Sequence, residues 1–187
     1  MEVLLIDNND SFTYNLAQSV MKNAGISLKV LAYQHVTDKD WMQADKIIIS
    51  PGPGLPEDFP KYDQWLIQFD SKKPILGICM GQEIIACYYG AKLRQLKQVQ
   101  HGMRKYIQLD IKEDIFAGLN DKIHVGLYHS WVVSNEYFPQ ALKIIAKDEQ
   151  DLVMGIAHKK YKIWALQFHP ESYITDSGDR IIANFLR

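Results

Sequence analysis

Short apolar runs alternate with amphipathic stretches along the first half of the chain, and this alternation restricts the possible folds more than any other feature. The pattern predicts strands at residues 3–6, 28–32, 46–50 and 75–78, and helices at residues 11–23, 62–69 and 81–89. Strands joined through helices form crossover units, which build a largely parallel sheet. Continuous apolar strands fit a sheet that is covered on both faces.

The second half of the chain has a different pattern. It predicts strands at residues 106–111, 123–128, 142–146, 152–157 and 163–168, and a final helix at residues 178–186. Only turn-like residues separate several of these strands, which favours hairpins. We therefore predict an α/β fold with an open, mixed, mostly parallel central sheet, flanking helices and extra antiparallel strands in the C-terminal half. No repeat or linker interrupts the pattern, so residues 1–187 are expected to form one domain.

Composition and charge argue against several classes of function. The formal net charge of −1 and the absence of a basic run give no indication of nucleic-acid binding. No apolar run is long enough to cross a membrane, and the N-terminal residues have no signal-peptide pattern. Only two cysteines are present, without metal-ligand spacing, so we expect free thiols, a cytoplasmic protein, no metal site and no cofactor.

The segment Gly77-Ile78-Cys79-Met80-Gly81 is the first candidate for chemistry. It lies where a predicted strand gives way to a predicted helix, and small residues two positions either side of Cys79 allow a tight turn. The following helix would favour thiolate over thiol, and the N–H of Met80 could stabilise an oxyanion. The alternative is a buried structural cysteine whose glycines serve close packing. Cys87, within the predicted helix, is expected to be a core residue.

The segment Phe168-His169-Pro170-Glu171-Ser172 is the second candidate. A catalytic cysteine needs a base, and the base needs a group that orients it. His169 and Glu171 are two residues apart, so they project to the same side of an extended segment. Pro170 limits helix formation between them. The alternative is a solvated loop histidine beside a surface glutamate.

The third candidate is the run SPGPGLP at residues 50–56. It follows a predicted strand, so it would lie at the carboxyl edge of the sheet, where open α/β folds bind ligands. Gly52 allows a close backbone approach and could offer its N–H to an oxyanion. A rigid connecting loop would also explain this density of proline and glycine. All three segments follow predicted strands, so they could meet at one edge of the sheet.

Six motifs in a fixed order extend this pattern over essentially the whole chain. They are LLIDNNDSFTYNL at residues 4–16, SPGPG at 50–54, GICMG at 77–81, HG at 101–102, YHS at 128–130 and QFHPES at 167–172. In these motifs, their order and their spacing, the chain resembles the class I (triad) glutamine amidotransferases, which have a flavodoxin-like fold. More narrowly, it resembles the small glutaminase subunits of anthranilate synthase and aminodeoxychorismate synthase.

The resemblance implies a mechanism for hydrolysing L-glutamine. Cys79 would attack the side-chain amide, and His169 would act as base and then as acid for the departing ammonia, oriented by Glu171. The N–H groups of Met80 and Gly52 would hold the oxyanion, and water would cleave the thioester to give glutamate. The ammonia would pass to a separate large synthase subunit that binds and aminates chorismate. By family position, the glutamine site would comprise Gly52, Gly54, Met80, Glu83, Ser130 and Trp131.

Two positions depart from the family pattern. The family usually has glutamine at the position of Glu83. An ionised glutamate cannot donate a hydrogen bond, but it could accept one from the α-ammonium of the substrate. Its negative charge would raise the pKa of Cys79. The family's His-Gly-Lys run ends here in Met103, which removes a cation.

The acidic and polar cluster from Asp7 to Ser11 could indicate a metal or phosphate site. We favour a helix N-cap, in which Asp10 or Ser11 satisfies the N–H groups of the first turn. The resemblance implies that this region also faces the synthase subunit. Asp10, Ser11 and Tyr14 are therefore expected at the partner interface.

Two other functions remain open from the sequence. The chain could be a degenerate, non-catalytic regulatory or binding subunit, which the departures at Glu83 and Met103 would explain. It could also be a free-standing hydrolase of γ-glutamyl compounds with the same fold, although the chain has no extra insertions.

Overall fold

The computed structural model describes all residues from Met1 to Arg187, and its centre is one nine-stranded sheet with the order β2-β1-β3-β4-β9-β8-β7-β5-β6. The five strands from β2 to β9 in this order run parallel, and the remaining neighbours pair antiparallel. The strands are β1 (Glu2–Asp7), β2 (Ser27–Ala32), β3 (Lys46–Ile49), β4 (Ile75–Ile78), β5 (Leu93–Leu109), β6 (Lys122–Val133), β7 (Leu142–Asp148), β8 (Val153–His158) and β9 (Ile163–Leu166). This topology confirms the predicted fold class.

Five α-helices cover the sheet. They are α1 (Thr13–Met21), α2 (Asp38–Gln43), α3 (Lys61–Phe69), α4 (Met80–Tyr88) and α5 (Gly178–Leu186). Single 3-10 turns lie at Tyr33–His35, Pro56–Asp58 and Asp114–Phe116. None of the helices is long and apolar enough to cross a membrane.

The two faces of the sheet carry separate cores. In β1, Val3 and Leu5 pack into a cluster with residues of α1 and α5, whereas Leu4 and Ile6 pack into a second cluster with residues of α2, α3 and α4. Successive side chains of a strand point to opposite faces. A strand that is buried on both faces must therefore be apolar at every position, which is why β1 is a continuous apolar run.

Several predicted bounds are wrong by a few residues. The first helix begins at Thr13 instead of residue 11, and β9 ends at Leu166 instead of residue 168. The predicted strand at 106–111 is the last part of β5, which begins at Leu93 and ends at Leu109. Most of β5 is exposed, so it has no apolar pattern and depends on its pairing with β6.

The parallel strands β1, β3, β4 and β9 end at the same edge of the sheet. Their registers align Ile6 with Ile49, Ile49 with Gly77, and Ile78 with Leu166. The three candidate segments follow β3, β4 and β9, and the 7–11 cluster begins at the end of β1. The fold therefore brings all four segments to one place.

Candidate active site

Cys79 occupies a strained turn between β4 and α4. Its φ of 52° and ψ of −103° are unfavourable for a residue with a side chain. A Cβ atom at Gly77 would lie 2.5 Å from the carbonyl oxygen of Gly81, and a Cβ at Gly81 would lie 2.5 Å from that of Ile49. Both glycines are therefore required for the turn, as the sequence predicts. Closing the turn, Cys79 N–H donates to the Leu166 carbonyl at 2.7 Å.

The environment of the Cys79 sulfur contains opposing influences. The residue is 7% exposed, and this burial raises the pKa of the Cys79 thiol. The neighbouring His169 lowers that pKa, whereas the carboxylates of Glu83 and Asp10 raise it. Met80 is the first residue of α4. The N–H groups of a first helical turn have no partner within the helix, so the N–H of Met80 is available to an oxyanion beside the sulfur.

His169 and Glu171 form a buried pair. His169 Nδ1 lies 2.7 Å from Glu171 Oε1, and the two side chains are 2% and 0% exposed. Burial lowers the pKa of His169, but the Glu171 carboxylate and the interaction with Cys79 outweigh it, and the pKa is raised well above its ordinary value. The alternative of a solvated loop histidine is therefore wrong. His169 Nε2 makes no hydrogen bond of ordinary geometry, and the ring interacts with the Cys79 thiol, so this nitrogen can exchange a proton with the thiol or with a bound group.

Aromatic rings fix the other sides of His169. The rings of Phe12 and Tyr128 lie 5.3 Å and 4.9 Å from it between centroids, both edge-on, and they also contact each other at 4.8 Å. The backbone N–H of His169 donates to the Gly126 carbonyl at 3.1 Å. The hydroxyl of Thr175 donates to the carbonyl of His169 at 2.6 Å. The imidazole is thus held by packing as well as by Glu171.

A pocket of about 190 Å³ opens beside the Cys79 sulfur. It contains all six residues predicted to bind glutamine, together with the predicted nucleophile. The complete lining is Gly52, Pro53, Gly54, Cys79, Met80, Glu83, Tyr128, His129, Ser130 and Trp131. This volume suits a small metabolite, since pockets for drug-sized ligands begin at about 300 Å³.

Asn8 holds the 50–56 loop at the pocket. Its N–H donates to Ser50 Oγ at 2.9 Å, its Nδ2 donates to the Ser50 carbonyl at 2.9 Å, and its Oδ1 accepts from the Tyr62 hydroxyl at 2.7 Å. A Cβ at Gly52 would lie 2.6 Å from the Asn8 Cβ. Glycine is therefore required at Gly52 for this close approach. Asn8 stands within the N-terminal motif, but no local pattern indicates its partners across the sheet.

Glu83 is almost completely buried, with 3% of its surface exposed. Its Oε1 accepts a hydrogen bond from Gln167 Nε2 at 3.2 Å. Burial raises the pKa of Glu83 to about 7, and the hydrogen bond from Gln167 limits the rise. Gln167 carries no predicted role, although it begins the QFHPES motif.

His129 lines the pocket and has no predicted role. Its Nδ1 lies 2.8 Å from the Trp131 carbonyl oxygen, so this nitrogen carries the proton. Burial lowers the pKa of His129 to about 4. The ring is therefore neutral at physiological pH and adds no cation to the pocket.

The cap prediction for Asp10 and Ser11 is wrong. Phe12 is the residue before α1, and no side chain caps the helix there. The carboxylate of Asp10 instead accepts from the Phe12 N–H at 2.7 Å. Asp7 Oδ1 accepts from the N–H groups of Asn9 and Asp10, so the cluster folds the loop onto itself.

The predicted interface residues lie on the loop and helix next to the site. Ser11 and Tyr14 are exposed and Asp10 is partly buried, next to Phe12, which contacts the His169 ring.

Cys87 is only partly buried, so the prediction of a core residue is wrong. Both cysteines are free, and no group of three or more His, Cys, Asp or Glu side chains is placed to hold a metal ion.

Comparisons with known proteins agree on one family. A family model described as glutamine amidotransferase class-I matches residues 4–187. Anthranilate synthase component 2 of Cyanophora paradoxa is 41% identical over 192 residues, which cover 98% of this chain and 97% of that protein. Aminodeoxychorismate synthase component 2 of Klebsiella aerogenes is 34% identical over 186 residues, which cover 98% of each.

Solved structures agree with these relatives. A Thermoplasma acidophilum protein provisionally named as a GMP synthase subunit has a TM-score of 0.88 and 25% identity, covering 100% of this chain and 92% of that chain. A glutamine amidotransferase from Thermotoga maritima has a TM-score of 0.76 over 91% of this chain and 76% of that chain. At 17% identity, the second likeness concerns the fold alone.

Proposed function

Because this chain belongs to the class I glutamine amidotransferase family, we propose that it is a glutaminase subunit that delivers ammonia to a chorismate-aminating synthase subunit. One observation carries the proposal. Cys79 stands in a strained strand-to-helix turn at the pocket, and the His169 of the buried His169–Glu171 pair interacts with its thiol. Nucleophile, base and orienting carboxylate are the three parts that a thiol amidase needs.

The proposed reaction begins with the Cys79 thiolate, which attacks the side-chain amide carbon of L-glutamine. The developing oxyanion accepts hydrogen bonds from the N–H groups of Met80 and Gly52. His169 Nε2 passes a proton to the departing amine, so that ammonia leaves and a thioester remains. Glu171 holds the ring and stabilises its positive charge. Water, deprotonated by His169, then cleaves the thioester to release glutamate and restore the thiol.

The remainder of the pocket binds the amino-acid part of glutamine. Gly52, Gly54, Met80, Glu83, Ser130 and Trp131 surround it, and Glu83 is the only carboxylate among the lining residues. A carboxylate can accept hydrogen bonds from an α-ammonium group, so we assign this contact to Glu83.

The proposed partner is a large chorismate-binding synthase subunit. Two relatives that match this chain over almost their whole length are named as second components of anthranilate synthase and aminodeoxychorismate synthase. Exposed side chains stand on the segments that flank the site, with Tyr14 at 73% and Tyr173 at 94% exposure and Met103 at 43%. Protein–protein interfaces are enriched in aromatic residues and methionine. We place Asp10, Ser11 and Tyr14 at this interface, and the complex in the cytoplasm.

A glutaminase assay with and without the synthase subunit tests the proposal. We expect glutamine hydrolysis by the complex, and no activity with an authentic partner would contradict the proposal.

The main alternative is a non-catalytic binding subunit, which the buried carboxyl group of Glu83 favours. Labelling of Cys79 by a glutamine-mimicking electrophile would count against that alternative. A stable complex with a synthase on size exclusion would argue against a free-standing γ-glutamyl hydrolase.

A further inference from the structure

We infer that Gln167 is a positioning residue of this site, whose side-chain amide couples the carboxyl group of Glu83 to the sulfur of Cys79. The inference rests on the proposed function, since it concerns the reactivity of the same cysteine. Gln167 follows directly after β9 and is completely buried. A buried primary amide is costly unless its hydrogen bonds are made, so its partners indicate what it does.

The Gln167 amide nitrogen lies within hydrogen-bonding distance of two chemically important groups. Nε2 donates to Glu83 Oε1 at 3.2 Å and to Cys79 Sγ at 3.8 Å. A primary amide has two N–H donors, so each contact uses its own hydrogen. One side chain therefore touches the proposed nucleophile and the pocket carboxyl group at once.

Gln82 and Glu83 together set the direction in which this amide faces. Gln82 Nε2 donates to Gln167 Oε1 at 3.2 Å. If the Gln167 amide were reversed, its oxygen would face the carboxylate of Glu83 and its nitrogen would face another donor. The Gln82 donor on its oxygen and the Glu83 carboxylate on its nitrogen together keep the donors of Gln167 on the side of the sulfur.

No cation neutralises Glu83, because none of the ion pairs includes it. The titratable groups around the network lie on several elements. They are Cys79 and Cys87 at the two ends of α4, His169 and Glu171 after β9, Asp10 before α1, His129 on β6, Glu57 in the 3-10 turn before α3, and Asp63 on α3. His169 is the member that carries positive charge at neutral pH.

The Gln167 amide favours negative charge on two groups that oppose each other. Its hydrogen bond lowers the pKa of Glu83, which burial has raised to about 7. Its second N–H favours the thiolate of Cys79, whereas an ionised Glu83 raises the pKa of that thiol. Because Glu83 changes its charge near neutral pH, the reactivity of Cys79 should depend on pH through Gln167.

The rate of alkylation of Cys79 by iodoacetamide, measured from pH 5 to 10, tests this inference without the partner. The full chain carries Cys87→Ala, so that one thiol remains. The alkylation rate of this parent chain should rise with pH over the whole range. The rise should show a shallow step near pH 7, because ionised Glu83 raises the pKa of Cys79 and so reduces the fraction of thiolate. Glu83→Gln should remove the step.

Gln167→Met keeps the length of the side chain but removes both donors. We expect a rate about three- to tenfold lower at pH 6, the effect of one lost hydrogen bond, and a step displaced to higher pH. When Gln167→Met is combined with Glu83→Gln, the profile should have no step to displace, but the alkylation rate should still be lower than that of Glu83→Gln alone. Gln100→Met is the matched control, since Gln100 is also a buried glutamine; its profile should superimpose on that of the parent.

Should Gln167→Met not fold, Gln167→Asn serves instead, because its amide is one methylene too short to reach either group, and the same changes are expected. Superposition of the Gln167 variant on the parent profile would overturn the inference. If the complex still hydrolyses glutamine in that case, the inference alone fails. If Cys79 shows no glutaminase chemistry with its partner, the proposed function fails, whatever the alkylation profile.

Discussion

Glu83 is the only carboxylate that lines the pocket, and it is almost completely buried. An isosteric Glu83→Gln substitution removes a charge that raises the pKa of Cys79, and it keeps an acceptor for the substrate's α-ammonium. We expect the variant to have a lower Cys79 pKa and a glutamine turnover a few-fold higher near pH 8, where Glu83 is ionised. Steady-state kinetics of the complex measures this. A clear fall in kcat would instead mean that the charge of Glu83 is a working part of the site.

The same carboxyl group should make stability depend on pH. The pKa of Glu83 is about 7 in the folded chain and 4.5 ordinarily, so the unfolded chain loses this proton first. The free energy of unfolding therefore falls as the pH rises from 4.5 through 7, because the unfolded chain can ionise Glu83 and the folded chain cannot. Below pH 4.5 Glu83 is protonated in both states, so it no longer lowers the stability. The gain in free energy of unfolding from Glu83→Gln should be about 2 kcal/mol larger at pH 8 than at pH 5. Denaturant melts at both values check this, and an equal gain at both would contradict the assigned pKa.

At the scale of elements, the turn between β4 and α4 joins the sheet to the chemistry. Gly81→Ala would place a Cβ 2.5 Å from the Ile49 carbonyl oxygen, so β3 and α4 must separate. We expect a loss of about 1–3 kcal/mol in stability and a fall in glutamine-dependent activity of at least tenfold, since Cys79 moves with the turn. Denaturant melts and the glutaminase assay measure the two effects.

Gly25→Ala is the control for this substitution. Its Cβ meets nothing within 4 Å, but its φ is +76°, so it costs about 1 kcal/mol of backbone strain. It should lower stability and leave glutamine turnover unchanged. Equal loss of activity in the two variants would show that stability, and not the turn, limits the enzyme.

The sequence predicted the elements that carry an apolar period and missed those that do not. The parallel strands β1, β3, β4 and β9 are almost completely buried on both faces, so their apolar runs predict their positions closely. The first part of β5 has mostly exposed side chains, so its strand depends on distant pairing with β6. The helix α2 is only six residues long; its one local signal is the Thr37–Asp40 capping box, which the helical period did not use.

The same division applies to the candidate site. Cys79, His169 and Glu171 stand in short motifs whose chemistry is evident locally, and the ends of parallel strands must meet. Gln167 and Asn8 act through hydrogen bonds with residues that lie as far as 88 and 54 positions away in the sequence. Such contacts depend on side-chain placement across the sheet, which no local pattern reports.

At the scale of the whole molecule, the proposed complex predicts a specific docking surface. Tyr14 is 73% exposed beside the loop that holds Phe12 against His169. Tyr14→Ala should weaken synthase binding at least tenfold, as expected when an interface loses an aromatic anchor worth about 1.4 kcal/mol or more. Titration of the labelled glutaminase chain with the synthase measures the dissociation constant.

Tyr137→Ala is the matched control for Tyr14→Ala. Tyr137 is 87% exposed and lies over Lys92, which follows the C-terminal end of α4 and so stands away from the site. Its removal should leave the dissociation constant unchanged. A loss of affinity in both variants, or in Tyr137→Ala alone, would place the partner on a different face.

The central claim is that this chain supplies ammonia to its partner through Cys79, and Cys79→Ser tests it most directly. The substitution keeps the size of the side chain but replaces the thiolate by a hydroxyl group that is far less nucleophilic at this site. The measurement is the amination of chorismate by the complex, first with glutamine and then with ammonium salt as nitrogen source. We predict that activity with glutamine is abolished and activity with ammonia is retained. Loss of both activities, or retention of the activity with glutamine, would contradict the account.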